Sequence, residues 1–205
     1  MIDFYSWSTP NGQRVAIALE ESGLAYKAHP LALPKGEQKN ADFLAINPCG
    51  KIPAILDNET GAKLFESGAI LTYIAEKSGK LMPKGAAERA QAMQWLFWSS
   101  AGPSPAVGML VQLSRHMPDQ TKALDKVKSE LREMWHVLDG CLGSRDYILG
   151  EYGIADIGAF PFYSRMATFG VDVSNSPNVK KWAERIAARP AVQRGLDVVP
   201  APKAA

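Results

Sequence analysis

In the first third of the chain, apolar residues come in short runs divided by turn formers. Beyond residue 85 they recur at helical spacing with no convincing strand. Ile2–Ser6 reads as a short apolar strand. Ser8-Thr9-Pro10-Asn11-Gly12 opens a helix, because hydroxyl and amide side chains cap a first turn and Pro suits its first position. Val15, Ala18, Leu19 and Ser22 share a face, and Gly23 closes the helix. Residues 26–33 read as a weaker strand, placed at a sheet edge by Pro30. The polar loop 34–39 leads to a short helical segment with Phe43, Leu44 and Ile46. Ala54–Asp57 and Lys63–Phe65 form a hairpin around Asn58-Glu59-Thr60-Gly61, and 67–77 a helix closed by Gly79.

The order β-α-β-α-β-β-α implies a parallel crossover followed by an antiparallel hairpin, hence a mixed four-stranded sheet. Residues 79–85 read as a linker. Helices are then expected at 86–100, 106–116, Thr121–Leu142, 154–169, 178–188 and 191–198, with a break at Gly102-Pro103-Ser104-Pro105. The tail after Pro200 is expected to be loose. The fold class is therefore α/β plus all-α, with an N-terminal domain over 1–78, the linker 79–85 and a helical domain over 86–205.

Composition narrows the function. Hydrophobic residues at 46% and charged residues at 21% describe a globular chain. A net charge of +2 with no basic block gives no nucleic-acid footprint. Two cysteines without C-x-x-C spacing fit a reducing compartment better than a disulfide scaffold. No apolar run reaches membrane-spanning length and the first residues lack a signal-peptide pattern, so a soluble cytoplasmic protein is expected. His29, His116 and His136 have no ligand spacing, so no metal is expected.

The stretch from Asn47 to Ile74 carries the candidate chemistry. Pro53 cannot donate to a β-ladder, so Ile52 before it keeps an unpaired backbone edge. Glu66-Ser67-Gly68 precedes an apolar helical run, which puts Ser67 at or near an N-cap where N–H groups and the helix dipole favour a carboxylate. An edge beside such a helix end suits a small anionic peptide. Taken alone, Ser67 and the Thr9/Asn11 pair read first as helix caps.

Together, T-P-N-G after the first strand, K-I-P-A-I, L-F-E-S-G-A-I, Q-W-L-F-W and G-I-A-D resemble the glutathione transferase superfamily over nearly the whole chain. Within it the chain is most similar to the bacterial nu class, whose members include glutathione-dependent disulfide-bond oxidoreductases. The resemblance implies a thioredoxin-like first domain and a helical-bundle second domain. It implies Ile52, before a cis Pro53, pairing with the cysteinyl unit of glutathione. Glu66 would face the γ-glutamyl ammonium, and the Ser67 N–H its carboxylate. Gln38 would help hold the peptide, Lys51 would lie near the glycyl carboxylate, and Lys126 would stand where relatives carry an Arg. Thr9 and Asn11 would sit at the sulfur and stabilise the thiolate, with Tyr5 and Ser8 as alternatives. The family's helix-opening S/T-x-x-D reads Gly153-Ile154-Ala155-Asp156 here.

The implied activity is attack of a glutathione thiolate, as co-substrate, on a small electrophile or a disulfide. The protein would be a homodimer without membrane or nucleic-acid partners. Cysteine-using relatives place Cys where this chain has Ser8, Thr9 or Asn11, so the nucleophile comes from the ligand. Rival readings are a non-catalytic glutathione or hydrophobic-ligand binder, and a glutathione-dependent isomerase or dehalogenase. Trp95, Phe97 and Trp98 read as core or interface aromatics, and Cys141 as buried.

Overall fold

The structure, a computed structural model, describes residues 1–198, and the expected loose tail after Pro200 lies outside the described residues. Two compact units divide the described chain, one holding residues 1–82 and 189–198, the other residues 83–188.

In the first unit the chain runs β1 (Ile2–Ser6), α1 (Pro10–Ser22), β2 (Tyr26–Pro30), α2 (Ala41–Leu44), β3 (Ala54–Asp57), β4 (Lys63–Phe65) and α3 (Ser67–Ser78). The sheet order is β2-β1-β3-β4. β1 and β2 pair in parallel with Ile2 opposite Tyr26, while β1–β3 and β3–β4 are antiparallel. This is the mixed sheet expected from the element order, with β2 at the edge. Ile2, Phe4 and Ile55 of the sheet and Ile17, Leu19, Ile70, Leu71 and Ile74 of the helices are buried as its core. Gly23 and Gly79 close α1 and α3 with φ of 74° and 68°, a left-handed region in which a side chain is strained.

The remaining helices are α4 (Ala86–Ala101), α5 (Pro103–His116), α6 (Thr121–Leu142), α7 (Ile154–Tyr163), α8 (Pro177–Ala187) and α9 (Pro190–Asp197). Here the sequence expectation needs correction. The last helix packs in the first unit rather than with the helical domain: Gly195 sits against Ile17, and a Cβ there would lie 2.7 Å from the Ile17 Cα. Arg189 and Arg194 hold it with ion pairs to Glu21 and Glu20, both at 2.6 Å.

Three boundaries also differ by more than one residue. The second strand stops at Pro30 and gives way to 3-10 turns at Leu33–Lys35 and Glu37–Lys39. α5 begins at Pro103 itself, because Pro at the first helical position lacks only an N–H that would be orphaned anyway. α7 stops at Tyr163 rather than 169, and the next segment turns to Gly170 at φ 61°.

In the second unit an edge-to-face series of Trp95, Trp98, Trp135, Tyr163 and Trp182 runs through the bundle. Asp156, buried at the start of α7, accepts from the Gly153 N–H at 3.1 Å, the Ile148 N–H at 3.0 Å and the Trp182 indole at 2.8 Å. The Asp half of the helix-opening motif therefore works with Gly153 as cap. Cys141 is half-buried rather than buried and lies 3.2 Å from an Arg145 guanidinium nitrogen. Phe97 is 64% exposed. No helix of the described residues is long and apolar enough to cross a membrane.

Candidate functional site

Two helix N-termini of the first unit, those of α1 and α3, are tied together by side chains. Thr9 caps α1 from extended backbone, and its Oγ1 accepts the Gly12 N–H at 3.2 Å. The turn is tight because Gly12 has no side chain: a Cβ there would run into the Trp7 carbonyl and the Ser6 hydroxyl. One residue into α1, Asn11 Oδ1 accepts the Ser67 hydroxyl at 2.9 Å. Ser67, nearly fully buried, is the first residue of α3, and Glu66 before it is the N-cap.

Glu66 is exposed and holds φ 68°, ψ 108°, a conformation rare for any residue with a Cβ. Its side chain makes no cap bond to α3. Backbone strain of this kind clusters at active sites and ligand clamps.

The 47–53 segment is organised by Asn47. This buried side chain accepts the Cys49 N–H at 3.0 Å and donates to the Lys51 carbonyl at 2.6 Å. The Ile52–Pro53 peptide is cis. Among the described residues no hydrogen bond engages the Ile52 backbone. Gly50, at φ 58°, packs so closely on the 38–39 segment that a Cβ would lie 3.1 Å from the Gln38 carbonyl. That approach places Gln38 beside the loop carrying the exposed Lys51. The Gln38 side-chain carbonyl is buried with no partner among the described residues, an acceptor that a ligand N–H would satisfy.

The structure thus joins Asn11 and Ser67 by a direct hydrogen bond, and Thr9 caps the same first turn of α1 that carries Asn11. Gln38 meets the loop that carries Lys51, Ile52 and Pro53, and Glu66 adjoins Ser67. Lys126 belongs to the second unit, where it is 72% exposed and paired with Glu130 at 3.2 Å. Tyr5, the alternative thiol donor, stacks on His29 with ring centroids 4.7 Å apart and also meets Phe43. Burial pushes its phenol pKa up, with the Asp3 charge adding to the effect. No group of His, Cys, Asp and Glu among the described residues could hold a metal ion.

Sequence reasoning missed Arg14. Only 2% exposed, its guanidinium donates to Ser67 Oγ through Nε at 2.9 Å and also through Nη2, and Nη2 reaches Asn11 Oδ1 at 2.9 Å. Burial lowers its pKa to about 10, partly opposed by the Glu66 charge, so it stays cationic at neutral pH. The available signal was a cation three residues after Asn11, on the stripe that continues through Ala18.

The chain matches the N-terminal domain model of glutathione S-transferases over residues 2–76 and the C-terminal domain model over residues 91–190. It is 38% identical over 203 residues to the disulfide-bond oxidoreductase YfcG of Escherichia coli, covering 96% of this chain and 94% of the relative. It is 32% identical over 193 residues to the glutathione S-transferase GstB of the same organism, covering 91% and 93%. A Pseudomonas fluorescens glutathione transferase family member, solved with two glutathione bound, superposes at TM-score 0.90 with 39% identity, over 95% of this chain and 92% of that one. A Pseudomonas putida glutathione transferase with one glutathione disulfide bound per subunit gives 0.86 and 36%, over 95% and 90%. The chain belongs to the glutathione S-transferase family.

Proposed function

We propose that the protein binds glutathione on the first unit and uses its thiolate to reduce small disulfides. The γ-glutamyl carboxylate takes the N–H groups at the start of α3, and Glu66 faces the ammonium. The cysteinyl unit pairs with the Ile52 backbone, and Gln38 and Lys51 hold the glycyl end. The observation that carries the reading is the junction of two helix N-termini through Asn11 and Ser67, with an unengaged Ile52 edge beside it.

Thr9 and Asn11 stabilise the thiolate. The Thr9 oxygen already accepts the Gly12 N–H, which polarises its hydroxyl and leaves the O–H proton to donate to sulfur. A free thiol titrates near about 8.5, and each unit of depression is worth about 1.36 kcal/mol. The thiolate attacks one sulfur of the disulfide, forming a new S–S bond to glutathione as the old S–S bond breaks. The departing thiolate takes a proton, and a second glutathione thiolate releases the mixed disulfide as glutathione disulfide plus thiol. No protein cysteine takes part.

Disulfide reduction is favoured over conjugation by the names and bound ligands of the relatives. Glutathione-dependent turnover of a small dialkyl disulfide against a model aryl halide tests this, with the disulfide expected to be the better substrate by at least about tenfold. The reverse ranking would make the protein a conjugating transferase.

We also infer a cytoplasmic homodimer. Exposed Phe97 and Met109 supply apolar surface for a partner copy, and two free cysteines suit a reducing compartment. A monomer in sedimentation at micromolar concentration would contradict the dimer.

A further inference from the structure

Arg14 lies in the interior of the first unit, and its guanidinium donates to both residues that join α1 to α3. The direction of those bonds fixes more than packing. A guanidinium only donates, so the end of the Asn11 amide facing it at 2.9 Å must be the carbonyl oxygen. The Ser67 hydroxyl accepts from Arg14 and gives its one proton to the same oxygen. Two donors therefore hold Asn11 Oδ1, and the Nδ2 end, which carries the protons, is turned the other way. Without Arg14 the amide could rotate and present its oxygen, which repels a thiolate.

The same bonds commit the one hydroxyl proton of Ser67 to Asn11, which leaves its backbone N–H as the donor available to a ligand carboxylate.

We propose that Arg14 is a positioning residue: it sets the Asn11 amide so that Nδ2 donates to the glutathione sulfur, and it links that donor to the start of α3 that grips the γ-glutamyl end. The inference rests on the reading that the sulfur lies at Thr9 and Asn11.

Arg14→Lys tests it, since Lys keeps the charge and loses the planar fork. For disulfide reduction we expect kcat to fall about tenfold with KM for glutathione within about twofold, the mark of misplacement rather than lost binding. The acidic limb of the kcat/KM pH profile should move up by about one unit, because the thiolate is less stabilised. In an Asn11→Ala background the same substitution should add little, since both act on one donor. An unmoved acidic limb in Arg14→Lys, or an effect that multiplies in full with Asn11→Ala, overturns the role of Arg14 while the sulfur site stands. Wild-type turnover in Asn11→Ala alone overturns both. Should Arg14→Lys not fold, nitrogen-resolved NMR of the wild type decides. Slow exchange of the Arg14 Nε–H with a glutathione-induced shift of the Asn11 Nδ2 protons supports the role, and fast exchange or unshifted protons overturns it.

Discussion

The Ser67 hydroxyl donates to Asn11 Oδ1 at 2.9 Å, across 56 residues of chain. This bond joins the first turn of α1, where sulfur chemistry is proposed, to the first turn of α3, which holds the peptide's anionic end. Ser67→Ala keeps the backbone N–H for the carboxylate but removes an acceptor from buried Arg14 and a donor from Asn11. Such a loss costs about 1–3 kcal/mol. Chemical denaturation should show it, and an unchanged midpoint would mean the bond carries no stability.

Gly12→Ala should be far more disruptive than an ordinary helix substitution. The added Cβ meets the Trp7 carbonyl and Ser6 hydroxyl, so the start of α1 must shift and carry Thr9 with it. A loss of about 2 kcal/mol or more, with a fall in glutathione-dependent turnover, is expected. Gly61→Ala is the control, because Gly61 has φ 73° but nothing within 4 Å of a Cβ. It should cost about 1 kcal/mol and spare turnover.

Glu66→Gly should separate stability from activity. Glycine accepts φ 68° without strain, and relief of an unfavourable backbone is worth about 1 kcal/mol. The variant should melt no lower than wild type and lose glutathione affinity. Equal affinity would remove Glu66 from the site.

Asp156 should give a pH signature. Burial pushes its carboxyl up to about 6 from an ordinary 3.8, against bonds from Ile148, Trp182 and Gly153 that favour the carboxylate. An acid whose folded pKa is raised binds protons on folding, so its contribution is greatest below pH 4 and declines as pH rises through about 6. Urea unfolding of wild type against Asp156→Asn should show the wild type's relative stability falling between about pH 4 and 6 and levelling above. A rise over that window would mean its bonds outweigh its burial.

Gly195→Ala probes the packing of α9. Its Cβ would stand 2.7 Å from the Ile17 Cα and 2.8 Å from its nitrogen, so α9 must move off α1. A loss of about 1–3 kcal/mol is expected. An unchanged melting temperature would show that the contact gives way freely.

Where local pattern decides structure, the chain was readable. The hairpin Ala54–Asp57 and Lys63–Phe65 followed from short apolar runs around a turn, and Thr121–Leu142 from a sustained apolar stripe, both with matching ends. The helix start at Thr9 followed from capping chemistry, whereas α3 starts at Ser67 with Glu66 as an N-cap that makes no side-chain cap bond. Tertiary choices were hidden. The stripe of α9 contains Val192 and Gly195, but nothing local says that Gly195 meets the Ile17 backbone. Arg14 carries no cap or breaker signal of its own, and the bonds that bury it reach to Ser67. Apolar residues up to Phe169 suggested a longer α7, whereas the backbone turns after Tyr163. Among the proposed site residues, Ile52 is singled out by the proline after it and Ser67 by the helix it starts, whereas Asn47 shows its role only through its bonds to Cys49 and Lys51.

The central claim is that Thr9 and Asn11 hold glutathione as a thiolate, and thiolate absorbance of bound glutathione against pH measures it directly. The bound thiol pKa is expected at least about one unit below the free value near 8.5, restored towards that value in Thr9→Ala and Asn11→Ala. A wild-type complex whose thiol titrates at the free value would contradict it.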